Sequence, residues 1–158
     1  MGWWSFCYLR LSVSWVFGMQ SPSLNRLIYR SISTISSERG GAFEEIIKSS
    51  ARNNRRDGLT GALVLLDGCF VQVLEGERAK VDTLMDRVGG DPRHRGLVIL
   101  GDWPITARLF AGFSMARLDP LVLSPETARF VTEGSCGYQL TSTLAALRDK
   151  NFNPYQNI

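Results

Sequence analysis

Residues 69–74, Cys-Phe-Val-Gln-Val-Leu, form a strand-length apolar run with a single glutamine, Gln72, in its middle. Strand interiors are filled by β-branched, aromatic and aliphatic side chains. An amide buried among them costs about 1–3 kcal/mol unless something hydrogen-bonds it. The preceding apolar run, residues 59–66, is joined to this one by Asp67-Gly68, the two-residue signal of a type I′ hairpin turn. The fold therefore has to take up an apolar hairpin and also supply Gln72 with a partner, and the simplest partner is a ligand with hydrogen-bonding edges. The period-two rule puts Phe70, Gln72 and Leu74 on one face of the second strand. Two further polar features belong to the same problem: the pair Asn53-Asn54 at the expected end of a helix, and Tyr29 in the strand before that helix.

Around the hairpin the periodicities are legible. Residues 27–31 read as a strand, followed by a Ser/Thr-rich loop ending in Gly40-Gly41. Phe43, Ile46, Ile47, Ser50 and Ala51 recur at helical spacing with Glu44, Glu45 and Lys48 on the wet side, which predicts a helix over residues 42–53. After Glu75-Gly76, Val81, Leu84, Met85 and Val88 give a second helix ended near Gly89-Gly90. Residues 97–100 and 110–115 read as the last strands. The order βαββαββ implies an α+β fold, an antiparallel ferredoxin-like sheet with two helices on one face. Ser124-Pro125-Glu126 has the form of an N-cap, a first-turn proline and an acidic first turn, opening a helix that stops at Gly134. Residues 141–150 are a second short helix, and the two are expected to cover the exposed face of the sheet.

At 158 residues, 44% hydrophobic and 21% charged, the chain suits one core that buries about 70% of the surface of the unfolded chain. A formal charge of +3 comes from 18 basic and 15 acidic residues, with no long run of either sign, so charge gives no case for nucleic-acid binding. Cys7, Cys69 and Cys136 are odd in number and contain no CxxC; they read as small hydrophobes in a reducing cytoplasm. With His94 as the sole histidine, neither a histidine-rich metal site nor a Ser-His-Asp arrangement has support.

Residues 1–18 differ from the rest, with three of the four tryptophans and one charge, Arg10. The segment lacks a basic start and an uninterrupted apolar run, so it is a poor signal peptide, and it is too short to span a bilayer. A start codon placed too early, an interfacial or partner-binding arm and a targeting segment stay open. The domain pattern is expected over 19–120 and the helical tail over 121–158.

Tyr29-Arg30-Ser31, Asn53-Asn54, Leu59-Thr60-Gly61, the run from Phe70 to Gly76, Asp91-Pro92-Arg93-His94 and the run from Phe110 to Met115 occur in order and at the spacing of one family signature. By these six blocks the chain resembles, over about residues 25–120, the BLUF domain, a blue-light sensor using flavin. The resemblance implies a non-covalent flavin, FAD or alternatively FMN, held between the two helices with its ring near Tyr29 and Gln72. Asn54 matches the family amide on the pyrimidine edge of the ring and Asn53 its neighbour; read as residues alone, the pair also suits the close of a helix. Arg87, Asp91, Arg93 and His94 fall where the family contacts the ring edge, ribityl chain or phosphate, and equally where a solvated helix end would lie. Tyr29, Gln72 and Met115 are then the photoswitch. Many members place a tryptophan two residues before that methionine, and Phe113, a poorer electron donor, stands there in this chain.

The same resemblance implies a sensor without enzymatic activity of its own, signalling to a downstream protein, as a homo-oligomer, in the cytoplasm and away from membranes. A flavin-free ferredoxin-like interaction module is the alternative. An acylphosphatase-like hydrolase shares the strand and helix order but needs a glycine-rich phosphate loop directly after the first strand, where Arg39-Gly40-Gly41 comes late. An RNA-binding sheet needs stacking aromatics on its central strands, and Phe70 alone does not supply them.

Overall fold

The computed structural model describes residues 24–35, 41–133 and 136–150. The 1–18 segment, the boundary at Met19, Arg39-Gly40, Cys7 and the helix stop at Gly134 lie outside the described residues. The elements are β1 (Leu24–Ser33), α1 (Ala42–Asp57), β2 (Thr60–Leu66), β3 (Cys69–Glu77), α2 (Arg78–Gly89), β4 (His94–Ile105), β5 (Ala116–Arg117), a 3₁₀ turn (Pro120–Val122), α3 (Pro125–Glu133) and α4 (Gly137–Lys150). The strands form one sheet in the order β4-β1-β3-β2-β5, the ferredoxin-like α+β plan with a fifth strand at the edge.

The hairpin turn has positive φ at both central residues, 49° at Asp67 and 71° at Gly68, as a type I′ turn requires. Its alternation divides the core in two. Phe70 and Leu74 join Leu27, Tyr29, Ile46, Leu63 and Val81 on the side of α1 and α2. Val71 and Val73 join Ile28, Ala62, Val64, Val131, Leu140 and Leu144 on the side of α3 and α4. A sheet covered on both faces explains why its central strands are apolar almost throughout. The tail helices do cover the face left open by α1 and α2. Ser124 caps α3 by accepting the N–H of Thr127 on Oγ at 3.2 Å.

Several expectations need correction. Helix α1 runs one turn past residue 53 and ends at Gly58, whose φ of 70° and backbone N–H to Asn54 and Arg55 carbonyls make it the glycine C-cap; Asn53-Asn54 therefore do not close the helix. Strand β4 is longer than 97–100, since as an edge strand it tolerates Pro104. Helix α4 starts at Gly137 rather than 141. Residues 110–115 are a loop, because Gly112 takes a φ of 85° and the Glu75 carboxylate claims the N–H groups of Leu109 and Phe110. Only Ala116–Arg117 pairs, parallel to β2, so the sheet is antiparallel except at this edge. Cys69 is half-buried as a small hydrophobe would be, whereas Cys136 is exposed.

Candidate functional site

The centre of the site follows from register. β1 and β3 run antiparallel with Tyr29 directly opposite Gln72, so both side chains leave the sheet on the same face. Tyr29 is 0% and Gln72 5% exposed. Burial, with a smaller push from the Asp91 carboxylate, holds the phenol's pKa well above its ordinary value. It stays protonated and donates to Gln72 Oε1. The other end of the amide, Nε2, donates to Met115 Sδ at 3.6 Å, a weak acceptor at the foot of β5. Tyr29, Gln72 and Met115 thus form one chain of contacts, and the second Nε2 proton has no partner among the described residues.

Above this chain lies a cavity of about 230 Å³ between α1 and α2. All eight residues singled out as cofactor contacts line it: Tyr29 and Gln72 from the floor, Asn53 and Asn54 from α1, Arg87 from α2, and Asp91, Arg93 and His94 from the connection into β4. Asn54 is 1% exposed and gives Nδ2 to the Ser114 carbonyl at 2.8 Å, leaving Oδ1 without a partner among the described residues. Asn53, one position earlier, is exposed at the cavity wall and makes no side-chain hydrogen bond among the described residues. Buried amide atoms are ordinarily paired. Unpaired donor and acceptor ends on the floor and the α1 wall of one cavity fit a flat heterocycle whose edge carries both N–H and C=O groups.

The rim is charged and tied down. Asp91 accepts from Arg93 Nε at 2.9 Å, and that bond, opposed by partial burial, keeps its carboxyl below the usual range. Arg87 reaches Asp57 at 3.4 Å across the two helices. His94 packs its ring 4.7 Å from Phe70 and 6.1 Å from Tyr29, with Nδ1 2.8 Å from Ser31 Oγ. Burial and Arg93 lower its pKa, against the pull of Asp91, so the imidazole is neutral near pH 7. Phe113 lies on the tail-side core and does not line the cavity. Neither Cys69 nor Cys136 lines it either.

Sequence reasoning missed Ile46, Ser49, Ser50, Leu63, Leu84 and Val88 as lining residues. The signal was present in the helical period: Ile46, Ser49, Ser50 and Asn53 share one face of α1, and Leu84, Arg87 and Val88 one face of α2. The partnership of Ser31 with His94 had no sequence signal, since the two meet only across the β1–β4 pair.

Comparison with known proteins agrees with this geometry. The family model described as "BLUF: Sensors of blue-light using FAD" matches residues 24–116. The photoactivated adenylate cyclase subunit beta of Euglena longa is 30% identical over 109 residues, 67% of this chain but 13% of that protein. This chain thus spans a small part of its curated relatives. The dark-state structure of BlrB, a BLUF protein, superposes with a TM-score of 0.71 at 32% identity, covering 79% of this chain and 97% of that one. A structure of Klebsiella pneumoniae BlrP1 with FMN and cyclic diGMP has a TM-score of 0.61 at 28% identity, covering 78% of this chain and 34% of that one. With its family signature, its sheet and its cavity in agreement, the chain belongs to the BLUF family of blue-light sensors.

Proposed function

We propose that this chain binds FAD in the cavity between α1 and α2 and that Tyr29, Gln72 and Met115 convert blue-light absorption into a changed hydrogen-bond network read by a partner protein. The observation that carries this reading is the Tyr29–Gln72–Met115 chain at the floor of a cavity with unpaired amide ends. The bound flavin supplies blue-light absorption and, once excited, a strong oxidant. Asn54 and Asn53 hold the pyrimidine edge, since a carboxamide offers both a donor and an acceptor. Arg87, Asp91, Arg93 and His94 take the remaining ring edge, the ribityl chain and the phosphate. Tyr29 is the electron donor, and its hydroxyl proton sits on the bond to Gln72 Oε1. Rotation or tautomerisation of the Gln72 amide exchanges its two ends, breaks the contact with Met115 and offers a new donor to the cavity.

FAD is proposed over FMN from the family's description, although one similar structure carries FMN. Relatives that join this module to adenylate cyclase support an output by protein contact. A homo-oligomer in the cytoplasm is the proposed setting; no helix among the described residues is long and apolar enough to cross a membrane.

The test is the absorption spectrum of the purified protein, dark and then illuminated. With no cysteine of the described residues at the cavity, the light state keeps an oxidised-flavin spectrum shifted slightly to the red. Bleaching points to a different photochemistry, and a protein that stays colourless after flavin reconstitution supports the interaction module instead. Chromatography of the released flavin distinguishes FAD from FMN.

A further inference from the structure

Glu75 is a carboxylate with 0% exposure on β3, three residues beyond Gln72, and the proposed photochemistry gives it no task. Its Oε1 accepts from Arg26 Nε at 2.6 Å and from the N–H of Leu109 at 3.0 Å. Its Oε2 accepts from the N–H of Phe110 at 2.9 Å and from Thr60 Oγ1 at 3.4 Å. Arg26, itself 6% exposed, continues to the Ala107 carbonyl at 3.2 Å. A buried carboxylate persists only when it is paired and hydrogen-bonded. Here two of its donors are backbone groups of the loop that leads into β5.

The other end of that loop returns to the same strand. Phe113 donates to the Phe110 carbonyl at 3.0 Å, and its own carbonyl accepts from Gly61 N at 3.0 Å as the chain rounds the start of β2. Asn54 holds the Ser114 carbonyl at 2.8 Å, and Met115 receives Gln72 Nε2 at 3.6 Å. Residues 109–115 therefore form a strap fixed to β3 at both ends, by Glu75 on the tail side of the sheet and by Gln72 on the cavity side. Gly112, with φ of 85°, lies between them. β3 is central in the sheet, and Glu75 fixes where the strap begins while Gly61 and Asn54 hold Phe113 and Ser114 near its Met115 end.

We infer that Glu75 is a positioning residue of the switch: by holding the N–H groups of Leu109 and Phe110 it fixes the far end of the strap and so sets where Met115 stands against the Gln72 amide. This rests on the photoswitch reading above. When the amide turns, Glu75 keeps hold of the Leu109 and Phe110 N–H groups, and the change enters the strap from its Met115 end.

Glu75→Gln is nearly isosteric, yet it turns an N–H toward one of the two backbone donors. Dark recovery of the red-shifted state is measured on the full-length holoprotein for wild type, Glu75→Gln, Met115→Ala and the double variant. If Glu75 acts through Met115, Glu75→Gln changes the recovery rate about fivefold or more with Met115 present and less than about twofold in the Met115→Ala background. The same fold-change in both backgrounds overturns the inference, as does no change when Met115 is present. Should Met115→Ala fail to cycle, the same four proteins are compared in the dark through the side-chain N–H resonances of Gln72 in ¹⁵N-labelled holoprotein, where the shift must again vanish without Met115. Arg26→Lys keeps a cation beside Glu75 but releases the Ala107 carbonyl; it replaces Glu75→Gln if that variant does not fold, with a smaller change that also has to vanish in the Met115→Ala background. A wild type with bound flavin and no photoshift sinks the photoreceptor reading itself; a shifting wild type with a Met115-independent effect sinks only the role of Glu75.

Discussion

Tyr29 and Gln72 stand opposite one another in the β1–β3 ladder, and the phenol of the first donates to the amide oxygen of the second. The bond is set by strand register rather than by loop geometry, so the pair is held as firmly as the sheet. A one-residue slip of either strand would carry its side chain to the other face and part the pair. Burial keeps the phenol protonated; it donates to Gln72 Oε1, and Gln72 Nε2 points to Met115 Sδ.

Removing the Tyr29 hydroxyl with Tyr29→Phe preserves ring packing but raises the cost of oxidising the side chain and removes its proton. Flavin still binds, and the red-shifted state does not form. Gln72→Leu keeps similar bulk and deletes both ends of the amide, so it also abolishes the shift and weakens flavin binding by about 1–3 kcal/mol. The flavin carbonyl stretch, dark and light, is the measurement. A normal photoshift in either variant with stoichiometric flavin makes these two residues structural.

The adjacent amides separate stability from binding. Asn54→Ala strips the Ser114 carbonyl of its 2.8 Å partner at a buried site and lowers the stability of the flavin-free protein by about 1–3 kcal/mol. Asn53→Ala, at an exposed position on the cavity wall, leaves that stability within about 0.5 kcal/mol and weakens flavin binding alone. Urea denaturation of the apoprotein and flavin titration give the two numbers for each variant.

What was legible in the sequence follows a pattern. The hairpin and the faces of β3 were readable because period-two alternation and turn chemistry are local, whereas Asn53, Asn54, Arg87, Asp91, Arg93 and His94 were singled out by the resemblance to a family signature. The strand expected at residues 110–115 failed because its alternation is interrupted by contacts made at a distance. Glu75 captures the N–H of Phe110 and that of Leu109 just before it, and Gly112 turns the chain. The end of α1 was misplaced because Arg55-Arg56-Asp57 breaks the apolar period before Gly58 breaks the backbone. The buried Arg26–Glu75 pair left no signal at all, since its members lie on separate strands and become neighbours only through the β1–β3 register.

Acid destabilises the protein in two steps. Burial lowers the His94 pKa in the folded state, so its contribution is complete above the unfolded value of about 6.5 and is lost as pH falls through the folded value. Asp91, lowered by Arg93, behaves likewise below the ordinary carboxylate range. The groups facing the imidazole are Asp91, Arg93, Tyr29 and Ser31. Between about pH 7 and about pH 5 the Tm of wild type falls more than that of His94→Gln. Parallel curves for the two proteins contradict this assignment.

Gly137 begins α4 at a point where an added Cβ would lie 2.6 Å from the Leu100 carbonyl and 2.9 Å from Ile28 Cγ2. Gly137→Val therefore pushes the start of α4 off the sheet, at a cost of about 1–3 kcal/mol of overpacking. The cavity is on the other face, so flavin stoichiometry is kept. Urea denaturation together with flavin content checks both halves of this expectation; loss of flavin in a folded variant shows that the two faces are not separable.

β1 gives the tail helices a direct link to the switch, which makes them a route by which the signal can leave. Successive residues of a strand point to opposite faces. Tyr29 faces the cavity, while Arg30 faces the tail and donates from its guanidinium to the Thr132 carbonyl in the last turn of α3. On α4, Arg148 lies 5.7 Å from the rings of both Phe110 and Phe113 and donates to the Leu109 carbonyl. A shift of β1 or of the strap thus reaches α3 and α4 through single guanidinium contacts, which are easily exchanged for water. Hydrogen exchange in dark and light is expected to differ in α3, α4 and residues 110–115, and Arg30→Met is expected to raise exchange in α3 in the dark toward its light level. Equal protection in both states across these segments removes the tail as the relay and leaves an interface between copies of the chain to carry the signal.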